Sequence, residues 1–396
     1  MMEVKKVIEG KEVDAINEVL GYGMVGGGPG SFIGDVHRKA VNFDGKAKLV
    51  AGSFSRSFDN TLSTGEKLGL DTERLYRSFE EMAEKEAARE DKIDFVSIVT
   101  PNYAHYKIAK TFLKNGINVV CDKPLCFKVE EAEELAYLAK EKELLFCVTY
   151  VYSGFPMVKH AREMIRHGDI GEIKMVMAEY PQEWLANTVE NEGNIQAAWR
   201  TNPKMAGISN CVGDIGSHIE NTVSYITDLK IKSLCAKLDI IGENRTLDTN
   251  AGIMIKYDND ASGFYWCSQI AIGHSNDLKI RIYATKGSIE WHQEDPNYLK
   301  VVYLDKPEEK LSRGRDEIYP LAANNVRIPG GHAEGYYEAF ANIYKNFADA
   351  LLSKKSDYNF KREDYDYPTV YDGISGVKFI NLAVKSSKKG SIWVDF

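Results

Sequence analysis

Apolar residues along the first third of the chain come in short runs separated by longer stretches of mixed polarity. Val19, Leu20, Tyr22, Met24 and Val25 make the first run, residues 48–53 the second and residues 93–100 the third. Residues 117–121 and 144–151 supply two more. Runs this short, rich in valine and isoleucine, predict strands; the stretches between them predict helices ending near Phe43, Leu68, Asn115-Gly116 and Glu143. Alternating strands and helices imply right-handed crossovers and a mostly parallel sheet. The pattern therefore predicts an α/β domain with a mostly parallel sheet over residues 1–150, with residues 1–18 a polar extension ahead of the first strand.

The pattern then changes. Residues 156–167 predict a helix, 172–180 a long strand and 213–227 another helix. Strands are expected at 231–241, 249–257, 261–271, 277–285 and 287–292, separated by turn signals such as Tyr257-Asp-Asn-Asp260. Neighbouring strands on short turns imply an antiparallel sheet, so residues 151–396 predict an α+β domain with a large, mostly antiparallel open sheet. Residues 332–352 and 372–387 read as amphipathic helices, the second closing the chain near the first domain. The runs 261–271 and 277–285 carry apolar residues on both parities, among them Phe264, Tyr265, Trp266, Ile280 and Ile282. A sheet covered by helices mainly on one side leaves such a face to be buried elsewhere, which predicts a homodimer or a tetramer of dimers.

Composition narrows the class. With 396 residues, 44 % of them hydrophobic and 27 % charged, the chain can bury two ordinary cores. Its net charge of −8, without a basic stripe, disfavours nucleic acid as a partner. No run is long enough to cross a membrane and the N-terminus lacks a signal-peptide pattern, so a cytoplasmic protein is expected. The six cysteines form no C-x-x-C pair and read as reduced, buried thiols; no grouping has metal-ligand spacing.

Four motifs carry the chemistry. Gly26, Gly28, Gly30 and Ser31 follow the first strand and lead through Phe32 and Ile33 into a helix, as a turn that receives a pyrophosphate at a helix N-terminus would. The match to G-x-G-x-x-G is imperfect, because Ser31 stands at the third position and Gly34 comes three residues later. Thr100, Pro101 and Asn102, with His105, end the third strand: a helix cap accounts for Thr100, and so does contact with a nicotinamide ribose. Asp122, Lys123 and Pro124 end the fourth strand, where a lysine either faces solvent or binds a substrate hydroxyl and stabilises alkoxide charge. Asp214 and His218, four apart on a helix, share one face; they are a plain i,i+4 pair, or Asp214 is a helix cap, or the carboxylate orients an imidazole general base.

Together, in this order, the motifs resemble the Gfo/Idh/MocA oxidoreductases, from Gly23 to the C-terminal Gly390-Ser-Ile-Trp-Val. The resemblance implies a Rossmann domain followed by a large antiparallel sheet, NAD(H) or NADP(H) as cofactor, and a catalytic Lys123, Asp214 and His218. Asp122 stands where the family has Glu, and the lengthened turn resembles a subgroup of sugar and anhydrosugar dehydrogenases, with the backbone at Phe32 and Ile33 facing the pyrophosphate. The second strand ends Ser53-Phe-Ser55-Arg56 without the acid that would hold a ribose 2′-hydroxyl, which leaves NADP open, although Arg56 could equally stack on adenine. Trp184, Trp199, Arg200 and Tyr152, and more weakly His332, are candidates for lining a substrate pocket. The expected activity is hydride transfer between nicotinamide and a secondary hydroxyl of a neutral sugar, glycoside or anhydrosugar. A cyclitol dehydrogenase, a redox-assisted glycoside-cleaving enzyme and a non-catalytic cofactor sensor are the alternatives, the last disfavoured because sensing needs no base.

Overall fold

A computed structural model describes residues 19–356 and 359–396; the polar segment 1–18 lies outside the described residues. The chain opens with β1 (Leu20–Gly26), α1 (Phe32–Asn42), β2 (Ala47–Ser53), α2 (Phe58–Lys67) and α3 (Phe79–Ala87). It continues through β3 (Phe95–Val99), α4 (His105–Lys114), β4 (Asn118–Cys121), α5 (Val129–Glu141) and β5 (Phe146–Val148). The five strands form one parallel sheet in the order β2-β1-β3-β4-β5. All five residues of β3 are buried, because helices cover both faces of a parallel sheet: Phe95 faces one core and Val96 the other. The strand order reverses between β1 and β3, and at such a switch point the crossover helices diverge and leave a crevice at the strands' C-terminal ends. The glycine turn and Thr100 stand there.

Next come α6 (Pro156–Arg166), β6 (Ile173–Pro181), the short α7 (Ile195–Arg200) and α8 (Pro203–Ala206), and α9 (Ser217–Thr227). The strands β7 (Ile231–Asp239), β8 (Asn250–Tyr257), β9 (Ser262–Ser268), β10 (Lys279–Ala284), β11 (Gly287–His292), β12 (Tyr298–Tyr303) and β13 (Glu309–Ser312) follow. The chain closes with α10 (Pro320–Ala323), α11 (Tyr336–Ser356), α12 (Val370–Lys388) and β14 (Val394–Asp395). These strands build a nine-stranded sheet, β13-β12-β11-β10-β6-β9-β8-β7-β14, antiparallel except where β6 runs beside β9. β12, β13 and β14 extend it beyond the strands anticipated from the apolar pattern.

In β8, and in β9 as far as Cys267, buried and more exposed residues alternate, so one face meets the core and the other lies open. Ile280 and Ile282 turn inward; the open face carries Met254, Phe264, Trp266 and Tyr283, with Met175 and Met177 of β6 in register beside them. α12 packs on α5 and β5, as expected of a closing helix, and α11 also crosses back to cover α1. All six cysteines are free and buried.

Candidate active site

The glycine turn is built by close approach. A Cβ on Gly28 would stand 2.7 Å from the Phe54 carbonyl oxygen, so the turn lies directly against the end of β2. Ser31 caps α1, its hydroxyl accepting a hydrogen bond from the Gly34 N–H at 3.2 Å. Gly34 is thus inside the helix, and a Cβ there would come within 2.4 Å of the Gly27 Cα. It performs the helix-packing task of a third fingerprint glycine at a later position. Arg38 of α1 donates to the Gly27 carbonyl at 2.9 Å and ties the turn to its helix.

This turn forms one end of a cleft of about 980 Å³ that runs from the tip of β2, past the ends of β1, β3 and β4, to the second sheet. Gly26, Gly28, Gly30, Ser31, Phe32, Ile33, Ser55, Arg56, Thr100, Pro101, Asn102, Asp122 and Lys123 all line it. A bare backbone at Gly28 and Gly34, followed by an 11-residue helix aimed at the cleft, suits a dinucleotide diphosphate. His105 does not line the cleft. It is fully buried, with Nδ1 2.8 Å from the Pro124 carbonyl oxygen and Nε2 2.8 Å from that of Thr100. The expectation of cofactor contact fails here because the ring is consumed bracing two loops whose neighbours do line the cleft.

At the far end Lys123, Asp214 and His218 come together. Lys123 Nζ donates to the Asp214 backbone oxygen at 2.7 Å and to its Oδ1 at 3.0 Å. The other carboxylate oxygen receives Arg200 Nε at 3.1 Å and Gln269 Nε2 at 3.0 Å. Burial pushes the Asp214 carboxyl up, but Arg200 and Lys123 outweigh it and hold the group below the usual carboxylate range. His218 is buried, with its ring edge-on to Tyr152 at 4.9 Å between centroids. Burial, reinforced by the Lys123 charge and opposed by Asp214, keeps its pKa well below the usual imidazole value.

No hydrogen bond joins Asp214 to His218, contrary to the orienting role expected from their spacing. Residues 212–216 form a π-helical turn, and that wider winding moves Asp214 away from the i,i+4 position above His218 and toward the two cations. Asp248 supports this turn: its carboxylate accepts from Ser209 Oγ, Asn210 N and Val212 N at 2.9–3.0 Å. Asn210 in turn holds Gln269 at 2.7 Å.

Tyr152, Trp199 and Arg200 line the second-sheet side of the cleft, joined by Tyr180, Gln182, Asn276 and Tyr336. Tyr152 and Tyr180 share a hydrogen bond between hydroxyls, and Tyr180 and Gln182 both donate to Asn276 Oδ1, at 2.7 and 2.6 Å. Trp184 is not part of the wall; its indole donates to Gln182 Oε1 from behind, and the Arg200 guanidinium lies between the indoles of Trp199 and Trp184, 4.2 and 5.8 Å away. His332 lies exposed outside the cleft, its carbonyl held by Arg313. The amides were illegible in the sequence because lone Gln and Asn residues carry no spacing signature. Tyr180 closes a predicted strand, and that position is the only signal that could have marked it.

Comparison with known proteins agrees with this layout. A model described as an oxidoreductase family with an NAD-binding Rossmann fold matches residues 20–150, and one for the GFO/IDH/MocA C-terminal domain matches residues 158–290. An uncharacterized oxidoreductase of Bacillus subtilis, YfiI, is 36 % identical over 384 residues, 96 % of this chain and 98 % of its own. Levoglucosan dehydrogenase of Pseudarthrobacter phenanthrenivorans is 27 % identical over 250 residues, 57 % of this chain and 62 % of its own. The crystal structure of an inositol dehydrogenase homolog from Azotobacter vinelandii complexed with NAD+ superposes with a TM-score of 0.93 at 35 % identity, covering 96 % of this chain and 98 % of that one. Its complex with NADH and myo-inositol superposes at 0.89 over the same shares.

Proposed function

The chain belongs to the Gfo/Idh/MocA family of NAD-binding oxidoreductases, and from that premise we propose that it transfers hydride between nicotinamide and a secondary ring hydroxyl of a neutral sugar-type polyol. The observation that carries the reading is the convergence of Lys123, Asp214 and His218 on one wall of the cleft that begins at the glycine turn. The glycine turn with Ser31, the Thr100–Asn102 segment and Asp122 would hold the dinucleotide, which supplies the hydride acceptor when bound.

In the oxidative direction, His218 takes the hydroxyl proton as the carbon gives up its hydride. Nε2 is the nitrogen that does so, because Nδ1 is buried without a partner. The depressed imidazole pKa keeps this base unprotonated at neutral pH. The Lys123 ammonium donates to the same oxygen and stabilises the alkoxide charge as it develops. Asp214 holds that ammonium in place, while Arg200 and Gln269 fix Asp214 from the other side.

A neutral substrate fits because Lys123 and Arg200 both bind Asp214, which leaves Lys123 one N–H for a hydroxyl oxygen and no pair of cations arranged to grip a substrate phosphate or carboxylate. Tyr152 and the Asn276–Gln182 pair read hydroxyls, and the Trp199 face suits ring C–H groups. A cyclitol reading is favoured by the near-full-length match to the inositol dehydrogenase homolog; the lengthened glycine turn favours glycosides and anhydrosugars. A kinetic panel of myo-inositol, a glucoside, an anhydrosugar, a sugar phosphate and a 2-hydroxy acid, with both nicotinamide cofactors, tests the proposal. One of the neutral rings should lead. A sugar phosphate or hydroxy acid ahead of every neutral ring by tenfold in kcat/KM would overturn it.

A further inference from the structure

The adenosine end of the cleft carries charge that the proposed reaction does not use. In a dinucleotide-binding fold the tip of β2 is where the adenosine ribose lies, and an Asp or Glu there holds the 2′-hydroxyl while repelling a 2′-phosphate. Here β2 ends at Ser53, and the contact of Gly28 with Phe54 places the diphosphate turn against that tip. The segment that follows contributes Ser55, Arg56 and Asn60 to the cleft, and the stretch leading into α3 contributes Arg77.

Neither guanidinium is in an ion pair among the described residues. Arg56 is exposed and makes no hydrogen bond, and Arg77 lies over the Phe58 ring at 4.2 Å, which stiffens it without neutralising it. Glu80, a carboxylate of the same end, is bound to Lys107 at 2.7 Å. α2 starts in the same corner, and its N-cap Ser57 makes no side-chain cap bond, so the N–H groups of the first turn point outward unpaired by it. The α2 N-terminus is offset by Asp59 in its own first turn, so the two unpaired arginines that line the cleft, with no acid at the strand tip, are what form an anion site in a protein whose net charge is −8.

We infer that this corner binds the 2′-phosphate of NADP(H), and that the enzyme prefers NADP(H) to NAD(H). The inference rests on the dehydrogenase reading only in requiring a dinucleotide in the cleft. Arg56 and Arg77 grip the phosphate from β2 and from the approach to α3, while Ser55 and Asn60 supply neutral hydrogen bonds.

Direct binding to the full-length protein tests this without a substrate. Titration with NADPH and NADH, followed by nicotinamide fluorescence, should give a Kd at least tenfold lower for NADPH. 2′,5′-ADP should displace NADPH at concentrations where 5′-AMP does not. Arg56→Ala and Arg77→Ala should each weaken NADPH at least fivefold more than NADH, and the preference should fall steeply with added salt. Equal affinities, tighter NADH, or arginine variants that lose both dinucleotides equally (adenine stacking alone) would overturn the inference while leaving the dehydrogenase reading standing. Failure of either dinucleotide to bind would overturn both.

Discussion

His218 illustrates how a residue's chemistry is set by what surrounds it. Three tyrosine rings enclose the imidazole and Lys123 adds positive charge, so the neutral form is held far into acid. A kcat profile between pH 6 and 8 should therefore show no limb near the ordinary imidazole value of about 6.5. His218→Ala should lower kcat about 10²–10⁴-fold with the dinucleotide Kd within threefold of the parent. Lys123→Met should lower it comparably, and near-parental turnover in both folded variants would remove the assignment. Asp214 was legible as a candidate site carboxylate, and it lines the cleft, but its partners were not legible. Four residues of spacing implies contact with His218 only if the winding is α-helical, and the π turn at 212–216 is enforced by Asp248, 34 residues further along the chain and without a motif.

The glycine turn shows the same division one level up. Its position after an apolar run and before a helix was readable, because strand and helix periodicities are local. Which glycine does what was not, since the role of Gly34 depends on how closely its helix runs to the turn: a Cβ there would stand 2.4 Å from the Gly27 Cα. Gly34→Ala must therefore displace the turn, and should raise the dinucleotide Kd at least tenfold and lower Tm by several degrees. Gly30→Ala is the contrast: its Cβ would meet nothing within 4 Å, leaving only the strain of a φ of +77°, about 1 kcal/mol. Calorimetry and dinucleotide titration of the two variants should separate close packing from backbone strain; a similar small effect in both would contradict this account. The edge strand β13 was missed for a related reason. Edge strands are short and carry charge, here Glu309 and Lys310, and so lack the apolar signal of a central strand.

At the scale of the whole molecule, one consequence concerns acid. Burial holds His37 and His160 down at about 4, and His218 is also depressed. Between pH 6.5 and 4 the unfolded chain binds protons that these folded sites refuse, so stability should fall as pH drops through that window. Burial raises Glu220 to about 7 and also raises Asp248, and both act oppositely by stabilising the fold as they protonate, but the depressed carboxyls of Asp214, Asp277 and Asp366 add to the loss on the acid side. The urea midpoint should thus be lower at pH 5 than at pH 7, and an unchanged or higher midpoint would contradict the balance. Another consequence concerns assembly. Across β6, β9 and β8, Met177, Phe264 and Met254 lie in register on the open face, with Trp266 beside them; Phe264 and Met254 are 44 % and 43 % exposed. Light scattering should report a homodimer or larger assembly at micromolar concentration, and Phe264→Glu should shift it toward monomer; a monomeric parent would refute this. The sequence by itself determined the two kinds of sheet, the order of the motifs and the residue types at strand ends, because periodicity and turn chemistry act over a few residues. Only the tertiary structure decided that Asp214 serves Lys123 and Arg200, that His105 braces loops, that Trp184 stands behind the wall, and that Arg56 and Arg77 share a corner. Those outcomes depend on distances between segments far apart in the chain, and no local pattern encodes them.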